Sequence, residues 1–515
     1  MKKYLLLIFS FSLLLISCNQ KSKEKTSNEE NIIQQKPNII IFYVDDLGYG
    51  DLSSYGAVGV STPNVDKLAK NGIKYTDAHS SAATCTPSRY SLLTGQYAFR
   101  NNAHILPGDA PLLIDTKEAT LSKMLKKAGY NTAVVGKWHL GLGNGETNWN
   151  EEIKPGPLEI GFDYSFLLPA TGDRVPTIFV ENHRAINLEK NDPIQINYKK
   201  SFDGVPTGRT NPELLRYPAD NQHSEAIVNG ISRIGNQIGG KSALWTDEDF
   251  PYIFTEKANQ FIEKNKENPF FLFFSFHDIH VPRLPNKQFQ GKSTMGLRGD
   301  AIVQMDWMTG QIIKKLEELN IDKNTLVIFT SDNGPVLNDG YSDKAEELLG
   351  NHKPSGPFRG GKYSAFEAGT RVPMITYWPG TIKPGESKAL ISQTDYYTSL
   401  ANIVNYKTTA QEAIDSKNLE KTLLNANTEG RELLLEESFT LSLRKGDYKY
   451  IAPLKNRKAR KWVYGKKIES GAANEPQLYD LSKDMGEEVN IAKDNKKLVE
   501  KMQAKIDSIV AISKK

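Results

Sequence analysis

Cysteine is nearly absent from this chain: its 515 residues include two, Cys18 and Cys85. A framework of disulfides is excluded as a source of stability. A strong charge balance is lacking too. Lys and Arg number 65 against 61 Asp and Glu, for a formal net charge of +4. So small a balance, with no long basic or acidic tail, leaves no footprint for nucleic acid. An anionic ligand must then be met by local clusters of charge rather than by the field of the whole protein. No internal repeat or long low-complexity segment is evident. The apolar share of 39% and the aromatic share of 10% are ordinary for a chain that buries a large core. The length suits one large α/β domain with a smaller one appended.

Long hydrophobic runs are scarce as well. Residues 4–16 form an apolar run after the basic Met1-Lys2-Lys3, too short to span a membrane comfortably. The segment reads as an export signal. It ends in Leu15-Ile16-Ser17-Cys18, which looks like a bacterial lipoprotein box; a plain signal peptide or a short membrane anchor is the alternative. The expectation is that residues 1–17 are removed, that Cys18 carries lipid, and that residues 18–36 form a polar, flexible tether. Loss of Lys2 and Lys3 leaves +2. The protein would be exported and lipid-anchored to a bacterial membrane, periplasmic or at the cell surface. Cys85 would then have no partner, and an odd cysteine in an oxidising compartment has to be buried or chemically used.

Strands are expected over 38–44, 132–135, 269–275 and 325–330, as short, nearly unbroken apolar runs of the kind covered on both faces. Helical spacing appears over 120–128, 256–264 and 300–319. The alternation implies an α/β fold: a large, mostly parallel (mixed) sheet sandwiched by helices. This pattern covers residues 37–392. From 393 to 515 it changes to a helix over 395–404, short strands at 448–451, 462–464 and 477–481, and a last helix over 496–510. That is the pattern of a small C-terminal antiparallel-sheet subdomain. Ligands bind beyond the carboxyl ends of parallel strands. Asp45-Asp46, Lys137-Trp138-His139, His277 with His280, and Asp332-Asn333 all fall at such ends.

The most specific signal is Cys85-Thr86-Pro87-Ser88-Arg89 followed by Leu92-Leu93-Thr94-Gly95. Pro87 suits the first turn of a helix, which sets Cys85 among the orphan N–H donors at its positive end. The segment resembles the signature of the formylglycine-dependent, arylsulfatase-like sulfatases of the alkaline phosphatase superfamily. Eight matched letters at ~5% usage each make a chance match in this chain on the order of 10⁻⁸. The resemblance implies that a converting enzyme oxidises Cys85 to formylglycine. The hydrated aldehyde then attacks sulfur, and its second hydroxyl expels sulfate. It also implies that Asp45, Asp46, Asp332 and Asn333, with the modified Cys85, bind a metal. An all-oxygen set of this kind suits calcium (Ca2+). Arg89 would steady the hydrated aldehyde, Lys137 and Lys362 would hold sulfate oxygens, and His139 would deprotonate the diol. His280 or Lys362 would protonate the leaving alcohol; the sequence leaves that choice open. His277 reads as either a supporting or a core histidine.

Residues 155–249 show little regular structure, as substrate-entrance insertions often do. His104, Arg174, His183 and Arg283 are candidates to read sugar hydroxyls or neighbouring anions. The expected substrate is sulfated carbohydrate, either algal polysaccharide or glycosaminoglycan. Two other readings stand beside it: a phosphonate or phosphodiester hydrolase of the same superfamily, and a non-catalytic lipoprotein that binds sulfated glycan.

Overall fold

The computed structural model describes residues 36–145, 147–454 and 468–512. The signal segment, nearly all of the tether and the strand expected at 462–464 lie outside these residues. Asn38–Val44, Phe270–Ser275 and Thr325–Ser331 are buried at every position. Their β-branched and aromatic side chains fill both faces of a sheet, as central parallel strands require. Asn38–Val44 lies between the other two and parallel to both, with Val44 level with Ser331 and Tyr43 level with Ser275. Asn131–Lys137 and then Tyr164–Leu168 continue the parallel order on one side. On the other side Met374–Tyr377 runs antiparallel to Thr325–Ser331, Ile73–Tyr75 is antiparallel to Met374–Tyr377 in turn, and Gly385–Ser387, parallel to Ile73–Tyr75, ends that edge. With the short Val180–Glu181 and Arg184–Ala185 the sheet has ten strands.

Alternate residues of each central strand feed two different cores. Ile40, Phe42, Val44, Leu272, Phe274, Val327 and Phe329 pack with the helices Pro63–Asn71, Phe250–Asn265 and Gly296–Glu318. Ile39, Ile41, Tyr43, Phe271, Phe273, Leu326 and Ile328 pack with Cys85–Thr94, Leu121–Lys127 and Tyr396–Ile403. Complete burial of each such aliphatic or phenylalanine side chain contributes about 1.5–3 kcal/mol. The sandwich of helices about a mixed sheet is the one expected. The helix expected over 256–264 is longer, Phe250–Asn265. Pro251 sits in its first turn, where no N–H is needed, and Phe250 and Phe254 bury an extra turn.

Leu433–Glu437, Leu441–Lys445, Tyr448–Ile451 and Gln477–Asp480 form a four-stranded antiparallel sheet. Met502 and Ile506 of the helix Lys496–Val510 cover its Leu435, Leu443, Tyr450 and Leu478. Between this sheet and the large domain lies a buried charge network. Glu367 accepts Arg444 at 2.7 Å and Lys449 at 3.0 Å, and Lys449 reaches Glu436 at 3.1 Å. Glu436 in turn meets His79 at 2.8 Å. Among the described residues, no helix is long and apolar enough to cross a membrane.

Candidate active site

Four neighbouring parallel strands deliver their last residues to one rim of the sheet. Asp45 and Asp46 follow Val44, Lys137 ends Asn131–Lys137, His277 and His280 follow Ser275, and Asp332 and Asn333 follow Ser331. The strands approach closely here: a Cβ on Gly136 would lie 1.9 Å from the Ser275 carbonyl oxygen, at a φ of +109° that glycine tolerates. Asp46, His139 and Tyr363 hold left-handed backbone (φ 63°, 54° and 71°), a strain that marks functional sites. The helix Cys85–Thr94 brings Cys85 and Arg89 one turn apart, on the same face. Thr86 Oγ1 ties that helix to the rim by donating to the His139 carbonyl at 3.0 Å.

Beneath Cys85 the charges are buried and paired. Arg89 donates to Asp332 Oδ2 from Nη2 at 2.8 Å and Nε at 3.1 Å, and from Nη1 to the Lys137 carbonyl at 3.2 Å. Lys137 Nζ bonds Asp45 Oδ2. Lys362 Nζ donates to Asp46 Oδ2 and to Asp339 Oδ2, each at 2.9 Å. Burial works against the Lys362 ammonium, but Asp339 and Asp46 outweigh it and hold its pKa well above the ordinary lysine value. Burial, with Asp45 and Asp332 adding to it, pushes the Cys85 thiol up to about 12 against the pull of Lys137 and Lys362, so an unmodified Cys85 stays a thiol at neutral pH.

Asp45, Asp46 and Asp332 offer carboxylate oxygens within 4.8 Å of one another. Burial, then Asp332, raises Asp45 well above the carboxylate range, and burial raises Asp46 too. Asp45 Oδ1 and Asn333 Oδ1 are buried with no hydrogen-bond partner, while Asn333 Nδ2 donates to Asp46 Oδ1 at 2.8 Å. Three crowded carboxylates and two orphaned oxygens fit a hard divalent cation, which prefers oxygen donors.

His139 and His280 are both neutral in this setting. His139 Nε2 donates to the Leu106 carbonyl at 3.0 Å, which leaves Nδ1 a bare lone pair, buried and unpartnered. His280 Nδ1 donates to the Val281 carbonyl at 2.6 Å, which leaves Nε2 free, 4.0 Å from Asp46. Burial, then neighbouring cations (Lys137 and Arg174 for His139, Lys362 and Lys137 for His280), keeps both pKa values well below normal. His277 serves the framework: its Nε2 accepts the Gly172 N–H at 3.0 Å, and burial takes its pKa down to about 3.

Above Cys85 opens a cavity of about 210 Å³ that His139, His280 and Lys362 also line. Of the four residues expected to read sugar, the structure brings Arg174 there and not the others. Arg283 is spent elsewhere, on Asp343 at 2.7 Å and the carbonyls of Ile279, Val336 and Leu337. His183 turns to Glu159 at 3.0 Å, and His104 is exposed outside the cavity. Sequence reasoning missed Asp173, Tyr198, His223, Asp339 and Tyr363, which share the lining. Asp173 pairs with Arg174 at 2.6 Å and with His223 at 3.3 Å, while His223 Nδ1 meets Asp220 at 2.7 Å. These residues sit in loops without periodicity; the adjacent Asp173-Arg174 pair was the one available signal.

Residues 37–406 match the family model described as Sulfatase. The N-acetylgalactosamine-6-O-sulfatase of Bacteroides thetaiotaomicron is 48% identical over 500 residues, 96% of each chain. The mouse N-acetylgalactosamine-6-sulfatase is 33% identical over 430 residues, 81% of this chain and 72% of its own. A solved structure from work on the metabolism of multiple glycosaminoglycans by Bacteroides thetaiotaomicron superposes with a TM-score of 0.90. It is 49% identical and covers 92% of this chain and 99% of its own. With Cys85 at the head of its helix and the acidic and basic groups gathered beneath it, this chain belongs to the sulfatase family.

Proposed function

We propose that this sulfatase uses calcium and a formylglycine made from Cys85 to remove the 6-O-sulfate of an N-acetylgalactosamine-type sugar in a glycosaminoglycan. The observation that carries the choice of sugar is the 48% identity, across 96% of both chains, to a relative named for that reaction. The cavity above Cys85, about 210 Å³, is small beside drug-sized pockets and suits one sugar ring.

Asp45, Asp46, Asp332 and Asn333 would hold the calcium ion, whose charge polarises sulfate oxygens when bound. Cys85, oxidised by a converting enzyme, supplies the hydrated aldehyde as nucleophile. The chain's own residues do the rest. Arg89, locked by Asp332, fixes the position of residue 85 one turn away. Lys137 and Lys362 place two buried ammonium groups where sulfate oxygens gather charge, in a water-poor site that strengthens each contact. His139, neutral with its Nδ1 lone pair bare, takes a proton in the release step. His280 and Lys362 stand where a proton is handed to the leaving alcohol. Asp173 and Arg174, on the cavity wall, meet the hydroxyls of the sugar.

The reading extends to location: export and attachment to a bacterial membrane through a lipid on Cys18, supported by Leu15-Ile16-Ser17-Cys18. Metabolic labelling with a fatty acid, lost in Cys18→Ala, tests it; equal labelling of both proteins contradicts it. For the reaction, the test is sulfate release from 6-sulfated N-acetylgalactosamine, N-acetylglucosamine and galactose, with Cys85→Ala as control. The first sugar should be turned over fastest. Turnover of simple aryl sulfates alone, or phosphodiester cleavage exceeding sulfate release, contradicts the reading.

A further inference from the structure

Beside the catalytic cavity runs a second, larger groove of about 990 Å³, and Tyr198 lines both. Tyr198 is a fixed partition: its hydroxyl accepts the Gly108 N–H at 2.9 Å and donates to the Val175 carbonyl. The groove wall continues from Tyr198 through Thr207 and is completed by residues that include Arg209, Glu225 and Asn236. It springs from an anchored element, since Gln195–Asn197 pairs with Asn236–Ile238. Asn197 Oδ1 then accepts the N–H groups of Lys199 at 2.8 Å and Lys200 at 2.9 Å, which pins the turn carrying both side chains.

The charges in this groove are not equivalent. Arg209 is held by Glu225 at 2.9 Å. Lys199 and Lys200 are exposed, and neither ammonium takes part in an ion pair among the described residues. Lys199 acts on Asp109 from a distance, pulling down a carboxyl that burial raises. Asp203 is the groove's other acid. The half-buried Phe202 offers an apolar surface between them.

We propose that this groove is a binding site for the sugar next to the sulfated one, and that Lys199 and Lys200 hold an anionic group on that sugar. The catalytic cavity has room for one ring; the groove has several times its volume and lies next to it, on the other side of Tyr198. A glycan that continues past the cavity enters the groove, and an anionic neighbour meets two uncommitted ammonium groups there. The inference rests on the proposed carbohydrate substrate and extends recognition to the sugar beside the sulfated one.

The test compares the parent with K199A/K200A, both changes lying at exposed positions that leave the catalytic machinery intact. The substrates are the sulfated monosaccharide and two disaccharides in which the neighbouring sugar is a uronate or a neutral hexose. For the uronate disaccharide kcat/KM should fall about three- to tenfold, through KM, and the loss should shrink with added salt. The monosaccharide and the neutral disaccharide should be unaffected. A disaccharide with a second sulfate in place of the carboxylate tells whether either anion suffices. Equal losses on all substrates, or no loss on the uronate disaccharide, overturn the proposal. A sulfate-free, uronate-bearing oligosaccharide titrated into both proteins reads the groove without turnover. Tighter binding to the parent supports the proposal, and equal binding overturns it. Failure to release sulfate from the monosaccharide overturns the assigned sugar and leaves this binding comparison intact.

Discussion

Lys362 Nζ stands 2.9 Å from Asp339 Oδ2 while also donating to Asp46, a residue of the acidic cluster. Asp339, which also accepts from the Tyr363 hydroxyl at 3.1 Å, therefore positions a lysine that faces the cavity. Asp339→Asn should lower kcat/KM about 10- to 100-fold, the usual cost of losing such a supporting partner. Asp339 also raises the Lys362 pKa. Without it the alkaline limb of the pH–rate profile should move to lower pH, and Asp339→Glu should recover part of the shift. An unmoved alkaline limb with a lowered melting temperature would make Asp339 merely structural.

The orphaned Asp45 Oδ1 and Asn333 Oδ1, and the raised pKa values of Asp45 and Asp46, make the acidic cluster costly without a cation. Calcium should raise the melting temperature, by about 2.7 kcal/mol of stability at one hundred times its Kd. Chelation should abolish both this gain and sulfate release. Asp45→Asn should lose most of the calcium-dependent shift. A melting temperature indifferent to calcium and chelator contradicts the assignment.

Cys85 is 2% exposed, and every residue of its helix is buried. The thiol should therefore be out of a converting enzyme's reach in the folded protein. Folded, unconverted protein incubated with such an enzyme should keep its thiol, while an unfolded peptide spanning residues 80–95 should be oxidised. Equal conversion of the two would show that this helix opens readily.

Glu487 accepts the Glu367 N–H at 2.6 Å through Oε2, and its Oε1 is buried without a partner. Burial, with Glu367 adding to it against Lys449, pushes its pKa up to about 8 from the usual 4.5. The folded state thus binds the proton more tightly than the unfolded one. The stability Glu487 contributes is present below about pH 4.5 and lost as pH rises through about 8. Glu487→Gln keeps the acceptor and removes the charge. It should melt like the parent at pH 4.5 and higher than the parent above pH 8. A variant that melts lower at pH 9 contradicts this.

The central strands were legible because parallel strands buried on both faces read as unbroken apolar runs, Asn38–Val44 and Phe270–Ser275 above all. The rim residues followed from the motifs at the ends of those strands. Tyr164–Leu168 was not legible within the irregular stretch over 155–249, because nothing in the stretch separates its short run from loop. Arg283 stood as a candidate to read sugar hydroxyls or neighbouring anions because its partner Asp343, 60 residues away, is not visible from sequence. Asp339, His223 and Tyr198 reach the cavity from loops, where no period aligns side chains. Their convergence depends on tertiary contacts such as His223 with Asp173, 50 residues apart.

The most direct test is the mass of the Cys85 peptide, measured on protein produced with and without a converting enzyme, beside its sulfate release. The account predicts the aldehyde at position 85 only in the converted sample. Activity should rise in proportion to it and be absent in Cys85→Ala. Full sulfatase activity in protein whose Cys85 is entirely thiol would contradict it.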